Sequence, residues 1–265
     1  MASVAGMSST ESVRTWEDHW KTYLPTPGEK WIVQCRQQLL EKAIGRLSAR
    51  CRHALTIVEA GCGAGHNSYG VAKKGNFVLA LDLSAEALAT HCALYPASSV
   101  SLVLADIYHM PLPDDSVDLL FNAGVLEHFT DSQKQAILRE FARVLRPNGI
   151  LFITVPGCCS FWRAWRSISR RLDFGYEEYH TPRSIAKIVE LGGFDVLEKG
   201  GIDPLSLNTF LLRFLGIVLP LRGLPCGLST EVFVLARRSA DATGRGEPRS
   251  NGAGEGRLEL RDTRR

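Results

Sequence analysis

No stretch of this sequence is apolar for long enough to cross a bilayer. A spanning helix needs about 20 apolar residues with few charges. The most apolar segment, Leu205 to Leu228, is interrupted by Asn208, Arg213, Pro220 and Arg222, and its longest clean run is only Phe214 to Leu221. The start, Met1 to Glu11, is small and polar and lacks the basic residues and apolar run of a secretory leader, so export is not expected. The seven cysteines (Cys35, Cys51, Cys62, Cys92, Cys158, Cys159, Cys226) include no C-x-x-C pair, which argues against a zinc knuckle or a dithiol motif. Their odd number and scatter suit reduced thiols in the cytoplasm, and no metal is expected. Charge of one sign is also lacking: the formal net charge is +3 over 265 residues, so bulk electrostatics gives no case for nucleic acid. No internal repeat is visible.

What is present is a chain with 45% hydrophobic and 22% charged residues, enough to bury a full core in one catalytic domain. Residues 1–12 read as a disordered leader and 13–50 as a helical cap, broken at Pro25-Thr-Pro27-Gly28. The domain proper is expected over 51–238, with inserts at about 157–180 and 203–228. Short apolar runs at Leu55–Ala60, Phe77–Leu81, Ser101–Ala105, Leu119–Asn122 and Ile150–Val155 alternate with helical patterns near His66–Lys74, Ala85–Leu94 and Ser132–Leu145. Such alternation predicts an α/β fold, a doubly wound parallel sheet covered on both faces. A helix opens at Thr181-Pro182 and stops at Gly192-Gly193, and Phe194–Glu198 and Glu231–Ala236 supply two further strands. The last stretch, 239–265, is rich in Gly, Arg, Glu and Ser and is expected to be disordered.

The sharpest signal is Thr56-Ile-Val-Glu59-Ala-Gly61-Cys-Gly63-Ala-Gly65-His66, a strand that ends in a carboxylate and enters a glycine turn opening a helix. Absent side chains let the backbone approach a ligand closely. A phosphate-binding loop would end in Gly-Lys-Ser/Thr, but Gly65-His66-Asn67 stands here, and His66 also breaks the dinucleotide fingerprint. Glu59 repels a pyrophosphate and suits a cationic ligand. The second strand ends at Leu81-Asp82-Leu83-Ser84, where a carboxylate can accept from both ribose hydroxyls. The third ends at Ala105-Asp106-Ile107, where Asp106 can accept from an adenine amino group while Ile107 packs on the ring. The fourth delivers Asn122-Ala-Gly-Val-Leu-Glu127-His128 to the same sheet edge, the edge at which such folds bind ligands.

With Met110-Pro-Leu-Pro-Asp-Asp-Ser-Val-Asp118 and Glu140-Phe-Ala-Arg-Val-Leu-Arg-Pro-Asn-Gly149, these motifs resemble the class I S-adenosylmethionine-dependent methyltransferases. The similarity is to the type 11 branch, related to quinone-biosynthesis methyltransferases, and runs from about Ile57 to Pro156. The resemblance implies a Rossmann-like seven-stranded sheet of order 3-2-1-4-5-7-6 with strand 7 antiparallel. It also implies S-adenosylmethionine as cofactor, held by Glu59, Gly61, Gly63, Gly65, Asp82, Leu83, Asp106, Ile107 and Asn122.

Methyl transfer is an in-line displacement, so alignment and exclusion of water can supply much of the catalysis. A base helps a hydroxyl acceptor and is dispensable for a neutral nitrogen or an acidic carbon. His128 is the first catalytic candidate, unless it merely caps its helix. His180, in Tyr176-Glu-Glu-Tyr179-His180, is the second, unless it is a surface loop residue. His109 and Asp114-Asp115 read as turn residues, and Cys158-Cys159 as packing residues. The Trp16 to Trp31 region forms either a lid over the cofactor or a helix packed on the sheet.

A small-molecule acceptor is expected. Aromatics and arginines at 161–171 and the apolar 205–228 segment suit a peripheral membrane contact, a channel for an apolar or lipid-like acceptor, a cap over the site, or a dimer interface. The protein is expected to be cytoplasmic, monomeric or homodimeric. No Asn-Pro-Pro-Tyr-like motif follows the fourth strand, so nucleic-acid methylation lacks support. The rival readings are a dinucleotide oxidoreductase, which the glycine spacing disfavours, and a methyltransferase-like pseudoenzyme.

Overall fold

A computed structural model describes residues 9–23, 27–158, 176–202 and 229–239, except the side chains of 9–14, 27–29 and 31. Residues 9–12 of the expected leader are helical, forming the start of a helix that runs on into the expected cap. The rest of the leader, the 161–171 and 205–228 segments and nearly all of the C-terminal tail lie outside the described residues. The chain order is α1 (Ser9–Lys21), α2 (Pro27–Ser48), β1 (Thr56–Ala60), α3 (His66–Ala72), β2 (Phe77–Asp82), α4 (Ala85–Leu94), β3 (Ser101–Leu104) and β4 (Val117–Ala123). A 3-10 turn (Leu126–His128), α5 (Asp131–Val144), β5 (Leu145–Pro156), α6 (Pro182–Leu191), β6 (Phe194–Ile202) and β7 (Glu231–Arg238) complete it.

The seven strands form one sheet of order β3-β2-β1-β4-β5-β7-β6, in which β7 runs antiparallel to both neighbours and the other pairings are parallel. This is the architecture that the motifs implied. Strand alternation sorts the core into two layers. Val58, Leu120, Leu151, Ile153 and Val234 face a cluster shared with Ile137, Leu138 and Phe141 of α5 and Ile185 and Val189 of α6. Ile57, Leu119, Phe121, Phe152, Phe233 and Leu235 face the opposite cluster, which Leu40, Ala43 and Leu47 of α2 and Val71 of α3 cover. The second half of the expected cap is therefore one face of the core.

Local chemistry fixes the elements around the site. Ser84 caps α4 by accepting from the Ala87 N–H. Thr130 with Gln133, and Thr181 with Ser184, form capping boxes, and Pro182 opens α6 as expected. Arg143 pins the Met110 to Asp114 turn, donating to the carbonyls of Met110 (3.0 Å) and Leu112 (2.9 Å) and to Asp114 (2.6 Å). Strand β5 begins at Leu145, directly after α5 and earlier than the periodicity indicates, because Leu145 already pairs with Val117 of β4; the ladder then shifts register before Ile150, with Asn148 at a left-handed φ of 65° in between.

Candidate functional site

The register places Ala60 beside Leu81, Asp82 beside Leu104 and Glu59 beside Phe121, so the carboxyl ends of β1, β2 and β4 converge on one edge. A cavity of about 500 Å³ opens there, within the range usual for small-molecule sites. Glu59, Gly61, Gly63, Asp82, Leu83, Asp106, Ile107 and His128 all line it.

Glu59 is 1% exposed. Its carboxylate accepts from Asn67 Nδ2 (3.1 Å) and from the Ser68 N–H (3.0 Å) and hydroxyl, which ties the end of β1 to the first turn of α3. Burial pushes its pKa up to about 7, and the Ser68 and Asn67 hydrogen bonds hold it from rising further. The Asn67 Oδ1 atom, at the same cavity, is buried without a hydrogen-bond partner. Asp82 accepts from the N–H of Gly63 (2.7 Å) and of Ser84 (2.9 Å), one bond on each oxygen. A carboxylate has about four lone-pair sites, so it keeps capacity for a ligand. Burial raises its pKa and those backbone bonds oppose the rise. Asp106 accepts from the Tyr108 N–H at 3.0 Å.

Three expected site residues do not line the cavity. Gly65 stands at the N-cap of α3 with φ 68°, where a side chain would collide with the His91 ring, which is held against the Ala64 carbonyl at 3.1 Å. Asn122 is fully buried and donates to the Ala60 carbonyl (2.6 Å), bracing β4 against the end of β1. His180 is neither in the cavity nor a surface residue: it is 5% exposed, with Lys134 Nζ 3.4 Å and Glu178 3.5 Å away. Burial, then the Lys134 charge, lowers its pKa to about 4, so it is neutral near pH 7. His128 does face the cavity. Its Nδ1 lies 3.0 Å from the Tyr176 carbonyl, which can only accept, so the proton sits on Nδ1. Trp16 packs edge-on against the ring, centroids 5.0 Å apart.

Helix α1 closes over the glycine loop. Trp16, His19, Trp20 and Tyr23 line the cavity, and the Trp20 indole fills the space that a side chain at Gly63 would need. Tyr23 hydrogen-bonds His66 at 2.7 Å, and Thr90 of α4 donates to the Trp20 carbonyl at 3.3 Å. Sequence reasoning missed Arg36, Glu127, Glu177 and Glu231, which also line the cavity. Arg36 meets Glu231 through two hydrogen bonds. A lone arginine in a helix and a glutamate opening a strand carry no local signal, whereas Glu127 stands beside a histidine already singled out. Among the described residues, the only metal-ligand grouping, Cys51, His53 and Asp118, lies at the other edge of the sheet, where Asp118 is occupied by the Thr56 N–H (2.9 Å) and Arg146 (3.4 Å). Among the same residues, no helix is long and apolar enough to cross a membrane.

Comparison with known proteins agrees with this geometry. Residues 58–153 match a family described as Methyltransferase domain, of type 11. A probable S-adenosylmethionine-dependent methyltransferase of Mycobacterium tuberculosis is 38% identical over 116 residues, 44% of this chain and 40% of that relative. This chain thus spans less than half of that relative's length. A ubiquinone biosynthesis O-methyltransferase of Rhizobium etli is 27% identical over 63% of this chain and 71% of its own. Among solved structures, magnesium protoporphyrin IX methyltransferase from Synechocystis with bound S-adenosylmethionine superposes with TM-score 0.57 at 16% identity, covering 89% of this chain and all of that one, a likeness of fold. Residues 58–153 thus match the type 11 methyltransferase domain, and the strand order and glycine loop around them are those of the class I methyltransferase fold.

Proposed function

We propose that the protein transfers a methyl group from S-adenosylmethionine to a small-molecule acceptor. The observation that carries this reading is the donor set of the cavity. Three carboxylates, Glu59, Asp82 and Asp106, line the glycine-loop end, and the cavity's arginine, Arg36, is already engaged by Glu231. That set repels phosphate and suits a cationic amino-acid nucleoside. Glu59 and the orphaned Asn67 Oδ1 would take the ammonium, the free lone pairs of Asp82 the ribose hydroxyls, and Asp106 the adenine amino group between Leu83 and Ile107. Asn122 acts behind them, holding the β1 and β4 ends at a fixed spacing. When bound, the cofactor supplies an activated methyl on a positively charged sulfur.

The chain's own part is alignment and exclusion of water. Helix α1 shuts the cavity from above through Trp20, and Trp16 with the Tyr176 carbonyl holds the His128 ring in one tautomer and orientation at its edge. His128 is a wall of the acceptor site, and His180 is a packing residue behind it. The acceptor is small and enters beside Glu127, Glu177 and Glu231.

The test is transfer of label from methyl-labelled S-adenosylmethionine to a panel of hydroxyl-, amine- and carboxylate-bearing small molecules, some of them apolar. Label in at least one class of product is expected. Tight cofactor binding with no labelled product from any class would make the protein a binding protein without turnover.

A further inference from the structure

Glu127 is placed by the 3-10 turn after β4 and is 3% exposed, yet it lines the cavity. Its Oε2 atom is buried with no hydrogen-bond partner. Its Oε1 atom lies 3.6 Å from where a Cβ on Gly124 would stand. A buried carboxyl oxygen without a partner is costly, and in a cavity wall it is a group held ready for a proton or a ligand.

The charged groups that act on it are Glu177, Glu231 of β7 and Arg36 of α2, which Glu231 engages; His19 of α1 and His128 line the same cavity, and Glu59, Asp82 and Asp106 lie at the glycine-loop end. Burial pushes its pKa up to about 8, with the like charges of Glu177 and Glu231 adding to the rise and its own backbone N–H and Arg36 opposing it. Glu127 therefore keeps its proton near pH 7.

Resting on the methyl-donor reading above, we propose that Glu127 receives the proton of a hydroxyl acceptor, and that it becomes a carboxylate for this purpose only while the cationic methyl donor shares the cavity. A nearby positive charge favours the ionised carboxyl, and its loss restores the protonated form. The acceptor oxygen forms its bond to the methyl carbon as the carbon–sulfur bond breaks, and that electron pair stays on sulfur. The hydroxyl proton passes to Glu127 Oε2, leaving an ether, a neutral thioether and a protonated Glu127. A hydroxyl holds its proton near neutrality and needs such a base, whereas an attacking amine is already neutral. An anionic acceptor would face three carboxylates and an arginine already engaged by one of them.

Calorimetric titration of the full chain at about pH 7.5, in two buffers of different ionisation heat, reads the protons released per ligand bound. S-adenosylmethionine and S-adenosylhomocysteine share the ammonium, carboxylate and nucleoside and differ in the sulfur charge. Any release from Glu59, which the ammonium would affect, is thus common to both. The expected result is more proton released with S-adenosylmethionine, by up to one per site, with the difference abolished in Glu127→Gln while both ligands still bind. Equal release in the native protein, or a difference that survives Glu127→Gln, would overturn the proposal, as would label confined to amines or carboxylates in the acceptor panel. If neither ligand binds the folded protein, the methyl-donor reading falls with it; if both bind without the difference, Glu127 alone is dismissed.

Discussion

At the scale of single residues, the Glu127 carboxyl couples the site to stability. Its pKa rises from the ordinary 4.5 to about 8 in the folded chain. Between those values the folded state holds a proton that the unfolded state releases, so stability falls as pH rises through that window. Glutamine has the same shape and cannot ionise. Chemical denaturation should find Glu127→Gln more stable than the native chain at about pH 8.5 by at least about 1 kcal/mol, on a scale of about 1.4 kcal/mol per pKa unit, with the gap closing towards about pH 5. A gap that is absent, or that grows on acidification, would mean that the carboxyl is not desolvated. His180 shows how a residue can be conspicuous in sequence and lie outside the cavity. It stands after two glutamates and a tyrosine, but pairing of Gly157 with His180 carries it into the core beside Lys134, a contact formed by residues 46 apart in the chain.

At the scale of elements, the contacts of helix α1 predict how long a ligand stays. Its Trp20 lies on Gly63 and its main chain on Thr90, and Tyr23, just past its end, lies on His66. A lid seated by these contacts is expected to open the cavity when α1 lifts. Trp20→Ala removes the contact that seats the helix on the loop without touching Glu59 or Asp82. Stopped-flow binding of S-adenosylhomocysteine, followed by fluorescence of the remaining tryptophans, should show dissociation faster by roughly tenfold, about 1.4 kcal/mol, and association little changed. Slower association with unchanged dissociation would place Trp20 outside the lid. The two uses of α1 could not be separated in sequence, because a helix that packs on a sheet and one that packs on a loop carry the same apolar spacing. The glycine loop and the strand ends were legible, because a strand, a turn and a carboxylate are consecutive residues and their positions follow from connectivity. Gly65 and Asn122 sit in those motifs, but only packing shows that one makes room for His91 and the other braces two strands.

At the scale of the whole molecule, the parallel sheet brings residues from β1, β2, the turn after β3 and the turn after β4 to a single edge, and that convergence makes the cavity a nucleotide-type site. The alternation of short apolar runs and helices predicted the doubly wound sheet, whereas the order of its strands was readable only as what the resemblance carried by the motifs implies. The share of Arg36, Glu177 and Glu231 in the cavity was not readable, because these residues belong to segments joined only by the fold. The central claim is that this edge binds a cationic amino-acid nucleoside through Asp82. The measurement that tests it most directly is calorimetric titration of the native chain and of Asp82→Ala with S-adenosylmethionine. Binding in the native protein that weakens at least about tenfold in the variant, about 1.4 kcal/mol, is the result expected from losing charge-assisted bonds to a ribose. An unchanged dissociation constant in a folded Asp82→Ala protein, or no binding to the native chain, would contradict it.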